Sequence, residues 1–195
     1  MKRTLALILL CSACGSASPT HVTASGGTTA FTGVEAFSVV LHETALSSAG
    51  GLGGLGYPVT EVGVLVASTR GACARVAAKV IKRNTTDLDI RVSHGSADPI
   101  PTGTYSIGPL SIGDPTPTAS VTALFLGSSC QLAPHPKQAR SGTVTLSQIS
   151  AREVSGSIDV TLDDGAKLVG AFGAPHCTTA GTPPALADLP WACVE

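Results

Sequence analysis

The chain has 195 residues, 13% of them charged, and a formal net charge of −1. That is about half the usual share of charge in a soluble domain, and the near-neutral balance leaves no electrostatic footprint for nucleic acid. The 22 glycines and 13 prolines, set among Val, Ile, Leu, Thr and Ser, suit a β domain with many turns, and the scarcity of Phe, Tyr and Trp leaves few stacking platforms for sugars or single strands.

The N-terminus carries Lys2 and Arg3, then the apolar run Leu5 to Leu10, then the small residues Ser12 and Ala13 before Cys14. A basic n-region, a short h-region and small residues at the cut are the parts of a secretory signal. The run is far shorter than the roughly 20 apolar residues that span a bilayer. The segment resembles a bacterial lipoprotein signal, in which an aliphatic residue and two small residues precede a cysteine. Ser12-Ala13-Cys14 fits the last three positions, while Cys11 stands where an aliphatic residue is usual. The resemblance implies cleavage before Cys14 and lipidation of Cys14. Gly15 in second place, rather than an aspartate, implies sorting to the outer membrane. Several acyl chains on one residue give stable anchoring. The alternatives are an ordinary signal cut near Ala13 or Ala17, and an apolar N-terminal strand of a cytosolic domain.

The organisation expected is a signal over residues 1–13, a lipid-anchored flexible tether over 14–29, and a single β domain over 30–195. Gly15 to Thr29 has neither charge nor apolar periodicity, and a tether of that length reaches about 20 Å. In the domain, Phe31 to Leu41 reads as a first strand, Ser47 to Tyr57 as a glycine-rich loop and Glu61 to Thr69 as a second strand. Ala72 to Arg83 reads as the one helix, ended by Asn84. Cys73, Val76, Ala77 and Val80 share one of its faces, and Arg75, Lys79, Lys82 and Arg83 the other. Leu88 to His94 alternates as a strand. Asp98 to Gly103 is a Pro-rich turn before the extended Thr104–Ile107, Val121 to Gly127 is a further strand, and Gln131 to Ser141 is a polar loop.

Ser141 to Ala174 reads as a three-stranded meander. A three-residue loop Asp163–Gly165, with Gly165 left-handed, sets Val160 opposite Leu168 and Gly156 opposite Phe172. Both apolar sets then share a face, and Phe172 covers the glycine. The turn upstream needs a bulge, because Val144 and Leu146 are out of phase with Ile149. Pattern and count predict a mainly β fold, an antiparallel sandwich or flattened barrel of about eight strands with one short helix. The stretch from Gly142 to Cys177 (GTVTLSQISAREVSGSIDVTLDDGAKLVGAFGAPHC) resembles the C-terminal halves of small uncharacterised lipoproteins of Gram-negative bacteria, and brings no activity with it.

Of the six cysteines, Cys11 falls in the signal and Cys14 at the lipidation site. Cys73, Cys130, Cys177 and Cys193 remain, an even number that predicts two disulfides in an exported chain. Of the three pairings, Cys177–Cys193 with Cys73–Cys130 is expected, since the first closes a short loop and pins the Pro-rich tail Thr178–Trp191. No CxxC or HxxxH spacing supports zinc.

Other motifs lack their context. Gly51 to Gly56 matches GxGxxG, but Tyr57-Pro58 and a strand follow where a dinucleotide site needs a helix. His42-Glu43 is half of a zincin signature without its second histidine. His21, His94, His135 and His176 stand at no ligand spacing. Asp159, Asp163 and Asp164 cluster at one hairpin, where a solvated turn outweighs a calcium site. Asn84-Thr85-Thr86 matches a glycosylation acceptor, and the basic stripe from Arg75 to Arg83 could lean on anionic lipid. No nucleophile elbow, SxxK or P-loop is present. The sequence therefore predicts no catalytic residues, metal or cofactor. The expected function is a structural or binding module in the cell envelope, attached to the membrane through its N-terminal lipid, with an envelope protein or small ligand as partner. The alternatives are a barrel that carries a small lipophilic ligand, or a hydrolase without a recognisable motif.

Overall fold

The structure is a computed structural model and describes residues 19–46, 56–109, 114–177 and 192–195. The signal, Cys14, the glycine-rich stretch 47–55 and the tail 178–191 lie outside the described residues. In chain order the elements are β1 (His21–Ser25), β2 (Thr32–Gly33), β3 (Glu35–Leu46), β4 (Gly56–Ala67), α1 (Ala72–Ala77), β5 (Val80–Lys82), β6 (Thr85–His94) and β7 (Gly103–Ser106). They continue with β8 (Thr118–Leu126), β9 (Lys137–Ile149), β10 (Glu153–Leu162), β11 (Lys167–Pro175) and β12 (Ala192–Val194).

The main sheet runs β2-β1-β11-β10-β9-β8-β6-β4-β3, with β7 laid on β9, and a small parallel pair β5–β12 stands apart. All pairings in the main sheet are antiparallel. The two ends of the sheet approach each other. Ser38 of β3 bridges His176, just past β11, in parallel, and the Cys177 N–H donates to the Ser38 carbonyl at 3.2 Å. The fold is thus a nearly closed antiparallel barrel with one short helix. The parallel seam follows from parity. β3, β4, β6, β8, β9, β10 and β11 alternate in direction around the ring, so the first and last of these seven point the same way.

The interior is filled by alternate residues of the long strands of the main sheet, as the strand period of two requires. Val62, Val64 and Val66 of β4, Leu88, Ile90 and Val92 of β6, and Leu168 and Phe172 of β11 belong to one buried cluster with the inward residues of β8, β9 and β10. The meander has the predicted register: Val160 faces Leu168, Gly156 faces Phe172, and Gly165 is left-handed at φ 84°. The predicted bulge is also there, where Ser155 pairs with Gln148 but Gly156 with Leu146.

Several expectations are corrected. Residues 19–29 are not a tether. β1 pairs with β11 from His21↔Ala171 to Ser25↔Lys167, and Val22 is fully buried. Gly170 permits this, because a Cβ there would lie 2.6 Å from the Val22 Cα. One large apolar residue among small polar ones gave too little contrast for the strand to be read. The first strand breaks at Val34, whose N–H turns aside to the Ala67 carbonyl at 2.9 Å. The polar stretch before Ser141 is already β9 from Lys137. The helix ends at Ala77 rather than at Arg83. Lys79 takes φ 55°, and Val80 to Lys82 extend to pair with Ala192 to Val194. The β-branched Val80 and Ile81 favour that state, and a sheet partner supplied from far along the chain outweighs local helical spacing. Only Arg75 of the expected basic stripe is therefore on the helix.

Candidate functional site

The four cysteines of the domain are paired, but not as expected: Cys73 with Cys177, and Cys130 with Cys193. Loop length misled here. Strand order brings the end of β11 beneath α1, and the β5–β12 pairing carries Cys193 to the turn after β8. Two disulfides in one small domain mark folding in an oxidising compartment. The proposed lipidation residue Cys14 is outside the described residues.

Both cross-links border one feature of the outer surface. Phe37 and Leu65 are cross-strand partners on β3 and β4, and with Ala67, Ala72, Cys177 and Val76 they form a second apolar cluster, under α1. Beyond it α1, β5, β6, β8 and the turn at Leu132 line a small hollow of about 50 Å³ that opens to solvent. Its walls are mostly aliphatic, including Val76, Val80, Ile81, Leu124, Leu126 and Leu132. Three charged residues line it: Arg75, Lys82 and Asp87. A concave apolar surface with a few polar groups is the usual form of a small-ligand site.

β6 explains how the charge comes to be there. Leu88, Ile90 and Val92 point into the barrel, so Asp87, Asp89 and Arg91 point out. Asp87 lies beside the Ser68 N–H and within the field of Arg75 of α1. Its burial pushes the carboxyl above the ordinary carboxylate value, against the lowering effects of the Ser68 N–H, at 3.3 Å, and of the Arg75 charge. Arg75 is fixed by hydrogen bonds to the Arg70 carbonyl and to Thr69 Oγ1. Asp89 is likewise raised by burial, opposed by Arg91 at 2.8 Å. Lys82 has no ion-pair partner among the described residues. Sequence reading missed Asp87, because an outward acid on an alternating strand reads as solvated, and no spacing in the chain shows that Ser68 and Arg75 lie beside it.

The other polar groups serve the frame. Ser38 Oγ lies 2.9 Å from His176 Nδ1 and 2.7 Å from the Ala174 carbonyl. His176 Nε2 lies 2.8 Å from the Ser150 carbonyl, which only accepts, so Nε2 carries a ring proton. This serine–histidine pair is no nucleophile and base: Ser38 is 1% exposed and both ring nitrogens are taken by the seam. His94 is buried, with Nε2 2.8 Å from the Asp98 carbonyl. The three aspartates of the β10–β11 hairpin diverge. Asp159 pairs with Lys167 at 3.1 Å. Asp164 is held well below the ordinary carboxylate range, first by the Ala166 N–H and then by Thr28 and Thr29. Among the described residues no three His, Cys, Asp or Glu side chains converge as metal ligands. The side chains of His42 and Glu43 lie outside what the structure describes.

No family model matches this chain, and no curated protein and no solved structure does.

Proposed function

We propose that the chain is an exported lipoprotein whose acyl groups on Cys14 hold a β-barrel binding module in the cell envelope, at the outer membrane. The address rests on Lys2, Arg3, the apolar run Leu5 to Leu10 and Ser12-Ala13-Cys14, with Gly15 in second place favouring the outer membrane. The two disulfides agree with export. So does the resemblance of Gly142 to Cys177 to small uncharacterised lipoproteins. One observation carries the binding reading: an apolar hollow on the outer wall of a barrel whose interior is filled by its own side chains. The partner is a small ligand or an apolar element of an envelope protein that fits this hollow.

The address is tested by mass spectrometry of the membrane fraction. The expected result is an N-terminal Cys14 carrying acyl groups, with Cys14→Ser moving the protein to the soluble fraction. An unmodified chain recovered as soluble protein overturns it.

A further inference from the structure

We propose that the hollow between α1, β5 and β8 binds a free fatty acid, its carboxylate on Lys82 and its chain along Leu124, Leu126 and Leu132. The inference rests on the binding-module reading and gives it a ligand class. Three observations lead to it. The walls are aliphatic over most of their extent, and aromatic residues are absent from the lining, which suits an alkyl chain better than a planar ring. The lining charges are unbalanced. Arg75 and Asp87 offset each other across the floor of the hollow, where the Arg75 charge acts on the Asp87 carboxyl, and Lys82 is left as the net positive charge of the lining. Lys82 is also half-buried and without an ion-pair partner among the described residues.

The chemistry agrees with this placement. An ammonium group beside apolar surface gains from a carboxylate that brings its own apolar body, because the pair forms where water is partly excluded. A cationic amphiphile meets the net positive charge that Lys82 gives the lining. A neutral amphiphile gains the apolar contacts alone. Leu132 sits on the rim at 41% exposure, where an alkyl chain would cover it.

The test uses the full-length Cys14→Ser chain with its disulfides formed, titrated calorimetrically with decanoate, decanol and decylamine, each at concentrations where it is monomeric in solution. The expected result is one decanoate per chain, bound about tenfold or more tighter than decanol, the scale of one charged hydrogen bond, with decylamine weakest. Lys82→Gln is expected to reduce decanoate binding to the level of decanol and leave decanol unchanged. Leu132→Asp is expected to weaken both, and Lys167→Gln neither. Equal binding of decanol and decanoate, or a preference for decylamine, overturns the ligand class and leaves the hollow as a binding site. Decanoate binding that ignores both Lys82→Gln and Leu132→Asp overturns the proposed site. Absence of binding by all three overturns the ligand and counts against the hollow as a small-molecule site.

Discussion

Replacing Gly156 by Ala tests the meander where β10 is crowded by both of its neighbours, β9 and β11. A Cβ at this position would lie 2.9 Å from Phe172 Cζ and 3.1 Å from the Thr145 carbonyl carbon, and closer still to that carbonyl oxygen. The phenyl ring can turn; the carbonyl belongs to β9 and is fixed by the ladder with β10. Overpacking of a rigid neighbour costs about 3 kcal/mol, the upper end of the usual range. Gly165→Ala supplies the comparison. Nothing lies within 4 Å of its Cβ, and only the φ of 84° is unfavourable, for about 1 to 2 kcal/mol. Urea unfolding of the oxidised chain, followed by far-ultraviolet circular dichroism, should rank Gly156→Ala as clearly the more destabilised. The added change Phe172→Leu should restore little, because the carbonyl remains; a coupling below about 1 kcal/mol is expected. A Gly156→Ala variant within about 0.5 kcal/mol of the parent, or full rescue by Phe172→Leu, would refute this account of the packing.

Four further outcomes are expected. Removing Cys73–Cys177 or Cys130–Cys193 opens loops of 104 and 63 residues; each loss should cost about 4 to 5 kcal/mol by chain entropy, and the two should be nearly equal because length enters as a logarithm. Non-reducing peptide mapping should recover Cys73 joined to Cys177, and a Cys73–Cys130 peptide would contradict the topology. Asp164, whose carboxyl is lowered in the folded state, contributes stability that is full above the ordinary carboxylate value and fades as pH falls toward its folded value. The fall in urea midpoint below about pH 4 should therefore flatten in Asp164→Asn. Asp87 has the opposite sign: its raised folded value makes stability drop as pH climbs from the ordinary value through the folded one, so Asp87→Asn should be at least as stable as the parent at pH 7 and remove that drop.

The sequence exposed what depends on near neighbours. Val154, Ile158 and Val160 against Leu168 and Phe172 define a face, and the three-residue turn fixes their register, because a slip by one residue turns every side chain over. Local spacing failed where a distant segment decided. Val80 and Ile81 fit the apolar face of a helix as well as a strand, and β12, more than a hundred residues later, selected the strand. β1 was illegible for the same reason: His21 to Ser25 holds a single large apolar residue and becomes a strand because Gly170 leaves room on β11. The hollow is farther from view, since Asp87, Leu124 and Val76 belong to three elements whose adjacency no spacing encodes.

The parallel seam has a consequence for the time course of assembly. β3 and β11 are separated by most of the chain, so the ring closes through contacts of long sequence separation, the kind that form slowly. A chain delivered N-terminus first presents β3 and β4 well before β11 arrives. In that interval β3 keeps an unpaired row of backbone donors and acceptors, the sort of border that recruits a stranger's strand. Cys73 and Cys177 span the join where Ser38 meets His176. Oxidation of this pair acts as a ratchet, turning a reversible encounter into one that no longer competes with aggregation.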